Sequence, residues 1–212
     1  MRTILLLNPK GGCGKTTLAT NIASFYARRG HGVALADFDP QASSLTWLEA
    51  RPERLQPIHG IAAWEETLRP PRGTEFLVMD APAAVHGRDI TGLVRRAQSV
   101  ILPVLPSPID IRAASRFIHD LLLVGKVSRR QTKLAVVANR VREHTLIYQQ
   151  LERFLNRLQI PFLTSLRDTQ NYIRAAERGV GIFEMAPSQV APDLEQWKPL
   201  TRWLNSRRSL PD

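Results

Sequence analysis

The stretch LNPKGGCGKTT, Leu7–Thr17, limits what this chain can fold into more than any other feature. Its glycines Gly11, Gly12 and Gly14 let backbone N–H groups turn inward around a phosphate without obstruction from Cβ atoms. Such a loop works where a strand enters it and a helix leaves it, because the helix N-terminus adds partial positive charge. The flanks agree: Thr3–Leu7 is apolar, and Thr16–Arg29 has helical patterning. The ordinary pattern G-x-x-x-x-G-K-[ST] opens on glycine. Here Pro9 stands at that position, and a second lysine, Lys10, follows it. The loop is therefore either a broken nucleotide site or a different one that needs two lysines.

The rest of the chain supports the same context. Short apolar runs at Thr3–Leu7, Val33–Ala36, Phe76–Met79, Val100–Val104, Leu134–Ala138 and Phe162–Leu166 read as strands buried on both faces. Between them lie helical stretches at Thr16–Arg29, Asp89–Ala97, Ile111–Leu123 and Thr145–Leu158, followed by Asn171–Arg178 and about Ala191–Arg207. Alternation of this kind predicts an α/β fold: a doubly wound, mainly parallel sheet with helices on both faces, as one domain over residues 1–212. Arg51–Gly73, rich in proline and arginine, is the least regular part and reads as surface.

Several classes drop out on composition. No apolar run approaches the roughly 18 residues of a membrane span, and the N-terminal one is too short for a secretory signal. Cys13 is the only cysteine, so the chain has neither a disulfide framework nor a cysteine-held cluster, and a cytoplasmic setting is expected. The net charge is +10. Residues 126–212 hold 15 Lys+Arg against 8 Asp+Glu, whereas residues 1–125 hold 14 against 11. The excess is thus concentrated in the C-terminal part, where it would attract a polyanion through counterion release.

Within the loop, Lys15 is placed to reach the β- and γ-phosphates, the Thr16 hydroxyl to meet Mg2+, and Thr17 to donate to the α-phosphate. Cys13 reads as a small apolar filler rather than a nucleophile. Two further segments carry carboxylates. In ADFDPQASS, Asp37 and Asp39 stand two apart at a strand end, so both cannot point into the core. Carboxylates beside a phosphate loop hold water or Mg2+. Asp80 ends the apolar run FLVMD, the arrangement that binds Mg2+ through water in phosphate-loop enzymes.

Lys10–Thr16 matches K-G-G-x-G-K-[ST] in full, and with D-x-D-P-Q at Asp37–Gln41 the chain resembles the ParA/MinD family of deviant Walker ATPases. The Pro-Gln pair points to its ParA branch. The resemblance runs from Met1 to about Glu184 and implies ATP and Mg2+ as cofactors. It makes Lys10 the lysine that crosses an ATP-sandwich homodimer to the partner's phosphates. It gives Asp37 to the metal's water shell, Asp39 to the attacking water and Asn139 to the adenine; LPSPIDIRAAS at Leu105–Ser115 also matches. DAPAAVHG departs from the family's D-x-P-P, since Ala83 replaces the second proline; His86 in it reads as an exposed loop residue.

The implied function is a short ParA-type positioning ATPase without an appended helix-turn-helix domain. It would coat nucleoid DNA nonspecifically, and a ParB-like adaptor on a cargo would stimulate hydrolysis. Arg174, Arg178, Lys198, Arg202, Arg207 and Arg208 are the candidate DNA contacts. The main rival is a MinD-like membrane ATPase, for which Leu194, Trp197, Leu200 and Leu204 supply a stripe at near-helical spacing that Pro199 interrupts. An electron-transfer ATPase would need cluster cysteines that the chain lacks, and a metabolic ligase of the same superfamily would ignore DNA.

Overall fold

The computed structural model describes residues 1–83, 88–123, 132–158 and 160–211. Among these residues seven parallel strands form one sheet: β1 (Arg2–Leu6), β2 (Val33–Asp37), β3 (His59–Ala62), β4 (Phe76–Asp80), β5 (Ser99–Val104), β6 (Lys133–Val141) and β7 (Phe162–Arg167). Their order is β3-β2-β4-β1-β5-β6-β7, so the direction of winding reverses around β1. The helices are α1 (Lys15–Ala27), α2 (Ser43–Glu49), α3 (Arg88–Arg96), α4 (Pro108–Leu123), α5 (Leu146–Leu155), α6 (Gln170–Glu177) and α7 (Pro187–Leu204). Two apolar layers sandwich the sheet. Residues of α3, α4 and α5 pack on one face, including Val94, Ile118 and Leu151. Residues of α1 and α7 pack on the other, including Ile22, Trp197 and Leu200. This is the doubly wound parallel architecture expected of alternating buried strands and helices.

Three elements differ from the sequence reading. β3 lies inside Arg51–Gly73, the stretch read as irregular surface, and pairs with β2 at the sheet edge. Only Ile61 of its four residues is buried, so no run of apolar residues marks it. α2 is likewise short and buries only Ser44 and Trp47.

α7 also differs. It runs unbroken through Pro192 and Pro199, starting earlier and ending sooner than the apolar spacing suggests. Anchoring explains this: Val190, Trp197, Leu200 and Leu204 are fully buried and Leu194 packs against the same core, while both prolines are exposed. The apolar stripe that a membrane-binding helix would need is therefore spent on the core. No described helix is long and apolar enough to cross a membrane.

α7 leaves the carboxyl edge of the sheet, where Arg167 at the end of β7 pairs with Asp193 at 2.5 Å. It finishes at the amino edge, where the following turn is bonded through Ser209 to Ser99 at the start of β5. With 18 residues, it spans about 27 Å between those edges.

Candidate functional site

The register brings three strand ends together. Leu6 of β1 and Asp37 of β2 are both Cα partners of Asp80 on β4. The glycine loop leaves β1 at this point and feeds α1. Gly12 and Gly14 take φ of 75° and 94°, in the left-handed region that favours glycine. A Cβ on Gly14 would also lie 2.1 Å from the Asn139 amide nitrogen. No side chain caps α1, so the loop's N–H groups and the first turn are open to an anion.

A cleft of about 820 Å³ spreads from this loop over the carboxyl ends of the strands. Gly11, Gly12, Gly14, Lys15, Thr16 and Thr17 line one side, with Asp39 and Asp80 beyond them. The far side is formed by the ends of β6 and β7 and by α6, including Arg140, Asp168, Tyr172 and Ile173.

The carboxylates divide the work. Asp37 is fully buried and spends both oxygens on the loop that follows: Oδ1 accepts the Asp39 N–H at 2.9 Å and Oδ2 the Ser44 N–H at 2.8 Å. With these bonds it braces the Asp-Phe-Asp turn, and its oxygens keep further lone pairs beside the Thr16–Asp80 site. Asp39 is half-buried and faces the cleft, with Oδ1 accepting the Gln41 N–H at 3.0 Å. Asp80 takes the Ser44 hydroxyl on Oδ2 at 2.5 Å, while its buried Oδ1 has no hydrogen-bond partner among the described residues. A buried carboxylate oxygen without a donor, beside the Thr16 hydroxyl, suits a hard cation bound through oxygen or water. Thr16 and Asp80 therefore fit Mg2+, with Asp37 acting behind them.

Burial pushes the Asp80 carboxyl up to about 6, and hydrogen bonds from Ser44 and Thr16 only partly oppose it. The folded state thus holds this proton more tightly than the unfolded chain does. On this group's account the metal-free protein loses stability as pH rises from about 4 through about 6. Asp80→Asn removes the buried charge, so at pH 7 it should stabilise the metal-free fold by on the order of 2–3 kcal/mol. Thermal melts at pH 5 and 7 check this: the variant should lose the pH slope as it gains stability.

The two lysines face different ways. Lys15 is buried, lines the cleft and donates from Nζ to the Lys10 carbonyl at 3.3 Å. Lys10 is not among the cleft-lining residues; its Nζ lies 3.4 Å from Asp110 Oδ1 on α4. Cys13 is fully buried, with its thiol pushed up by burial and bonded to the Lys10 carbonyl, as befits an inert filler. Asn139 lines the cleft, yet its Nδ2 donates to the Cys13 carbonyl at 2.8 Å, so it also braces the loop. His86 lies outside the described residues.

The candidate DNA contacts do not form one patch. Arg174 on α6 and Arg178 just after it are exposed, next in the chain to the cleft-lining Ile173 and Glu177. Arg202, Arg207 and Arg208 are exposed at the other end of α7, on the opposite edge of the sheet. Lys198 is neutralised by Glu195 at 2.5 Å. Two functional candidates escaped the sequence reading. Ser44 bridges Asp37 and Asp80, and nothing in the pattern marks it. Asp110 did leave a signal: Ser107-Pro108-Ile109-Asp110 is a serine-led capping pattern at a helix start.

Comparison with known proteins decides the family. The model of the CobQ/CobB/MinD/ParA nucleotide binding domain matches residues 4–182. The chain belongs to this family. Among its relatives is the maintenance of carboxysome distribution protein A of Halothiobacillus neapolitanus, 30% identical over 86% of this chain and 87% of that protein. The chromosome-partitioning ATPase Soj of Thermus thermophilus is 27% identical over 72% of this chain and 74% of its own. Solved structures share the fold. Apo McdA of Cyanothece superposes with a TM-score of 0.72 at 17% identity, covering 97% of this chain and 100% of its own. MinD of Aquifex aeolicus gives 0.73 at 19% identity, covering 96% of each chain. The ParA/MinD likeness of the two N-terminal motifs and the doubly wound fold thus both stand.

Proposed function

We propose that this protein is a ParA-type positioning ATPase. The observation that carries the reading is the geometry of two lysines on one phosphate loop, one lining the cleft and one paired with Asp110 on α4. In this account ATP binds on the glycine loop, with Lys15 on the β- and γ-phosphates, Thr17 on the α-phosphate and Asn139 toward the adenine. Thr16 and Asp80 would hold Mg2+, which would supply positive charge to the phosphate oxygens. Asp39 orients the attacking water, and the Asp37 brace keeps Asp39 at the cleft. Lys10, which does not serve its own cleft, reaches the phosphates bound by a second copy, so that ATP closes a homodimer. A cation delivered in trans to developing charge follows the logic of an arginine finger.

Dimerisation doubles any basic surface and makes the second DNA contact effectively intramolecular. Nonspecific nucleoid DNA is the partner that the C-terminal excess of arginine favours, and the cytoplasm the setting. The exposed Arg202, Arg207 and Arg208 at one edge, and Arg174 and Arg178 at the other, supply two separate places for it. The cargo is of the kind its relatives are named for, a carboxysome-like assembly, a chromosome origin or a plasmid, with a cargo-bound adaptor stimulating hydrolysis. The burial of Trp197, Leu200 and Leu204 argues against the membrane-bound alternative.

Asp39→Ala tests the catalytic half of this reading. The variant should bind ATP and dimerise on a sizing column, yet hydrolyse at least about 100-fold more slowly, as expected for loss of a group that positions the nucleophile. Normal phosphate release by that variant would remove Asp39 from the chemistry.

A further inference from the structure

Lys10 is fixed at its backbone and held at its tip. Its N–H donates to Asn8 Oδ1 at 2.9 Å, and Asn8 Nδ2 donates in turn to the Pro103 carbonyl at 2.6 Å, at the end of β5. Only the side chain has room to move. Its Nζ sits 3.4 Å from Asp110 Oδ1; the lysine side chain is 39% exposed and the aspartate 11%.

Asp110 is well supported without this lysine. Its other carboxylate oxygen accepts the Ser107 hydroxyl, and its own N–H donates back to Ser107 Oγ at 3.1 Å. It also lies in the first turn of α4, a 16-residue helix, where the helix dipole favours a negative charge. Departure of Lys10 therefore leaves a carboxylate that keeps a hydrogen bond and a favourable field. A buried charge whose only partner left would resist such a departure far more strongly.

We propose that Asp110 is the positioning residue for Lys10: it holds the lysine in cis against α4 in the single chain and opposes its transfer to a second copy. This rests on the reading of Lys10 as the lysine that acts in trans. It adds that the free monomer stores this lysine on its own surface, away from its own cleft. Ile109, next to Asp110 and 63% exposed, puts the stored lysine beside an uncovered apolar side chain at the same helix start. Nucleotide binding in the monomer and dimerisation then depend on different groups: the first on Lys15, the second on how readily Lys10 leaves Asp110.

The test compares the native chain with Asp110→Asn and Asp110→Ala. Binding of a fluorescent ATP analogue is measured at protein concentrations where the chain is monomeric, and ATP-dependent dimerisation by analytical ultracentrifugation. Both variants should dimerise about two- to fivefold more tightly, the range set by loss of one partly exposed ion pair, with unchanged nucleotide affinity in the monomer. In a Lys10→Ala background, which should not dimerise, the Asp110 substitutions should restore no dimerisation, because their effect runs through Lys10. A merely structural Asp110 would lower thermal stability and nucleotide affinity together. Unchanged or weaker dimerisation in both variants, with native-like melting, overturns the proposal. Normal dimerisation by Lys10→Ala alone would instead overturn the trans-lysine reading beneath it.

Discussion

Lys15→Ala should weaken ATP binding by at least about 100-fold, which corresponds to losing charge-assisted hydrogen bonds worth about 2–3 kcal/mol. The lysine is buried and lines the cleft, and it is the lysine of the loop that does so. Among the described residues its Nζ hydrogen-bonds the Lys10 carbonyl, and its charge also lies near the buried Asp80, whose ionised form it favours. The variant should stay folded in a thermal melt while calorimetric titration with ATP gives no measurable heat. A folded variant that still binds ATP tightly would mean that the glycine loop and helix terminus hold the phosphates unaided.

Lys10→Ala should separate binding from assembly. Its Nζ pairs with Asp110 on α4 and Lys10 does not line the cleft of its own chain, so the variant should keep ATP affinity in the monomer. It should lose ATP-dependent dimerisation and hydrolyse roughly 1,000-fold more slowly, the scale on which a cation supplied in trans contributes to phosphoryl transfer. Sizing columns run with ATP and with ADP, paired with a phosphate-release assay, read both effects. If the variant dimerises and hydrolyses normally, Lys10 is a surface residue of the phosphate loop and nothing more.

The parts of the fold that were legible in the sequence are those whose signal is local. β1, β2, β4 and β5 are apolar because both faces are covered, and Gly12 and Gly14 are glycine because the loop needs positive φ. β3 was illegible for the opposite reason: an edge strand with His59 and Gly60 exposed leaves no periodic trace. In the site, the residue types and their order were legible, while their division of labour was not. Asp37 and Asp39 read alike in a line of letters, and only the fold directs one at backbone N–H groups and the other at the cleft. Ser44 matters through a bond to Asp80, 36 residues away, and Asp110 through Lys10, on the loop that follows the neighbouring strand β1. The basic C-terminal region was legible as charge, yet its split between two edges came from the direction of α7, which composition cannot express. Reversal of Arg202, Arg207 or Arg208 to glutamate is accordingly expected to weaken DNA binding with dimerisation intact.

The central claim is that ATP, by closing a dimer through Lys10, turns on DNA binding. The direct measurement is a mobility-shift titration of random-sequence duplex DNA with ATP, with ADP and without nucleotide, at two salt concentrations, for the native chain and Lys10→Ala. The account predicts binding with ATP alone, indifferent to base sequence, falling steeply as salt rises, and lost in Lys10→Ala. Equal binding with ADP, or full ATP-dependent binding by Lys10→Ala, would contradict it.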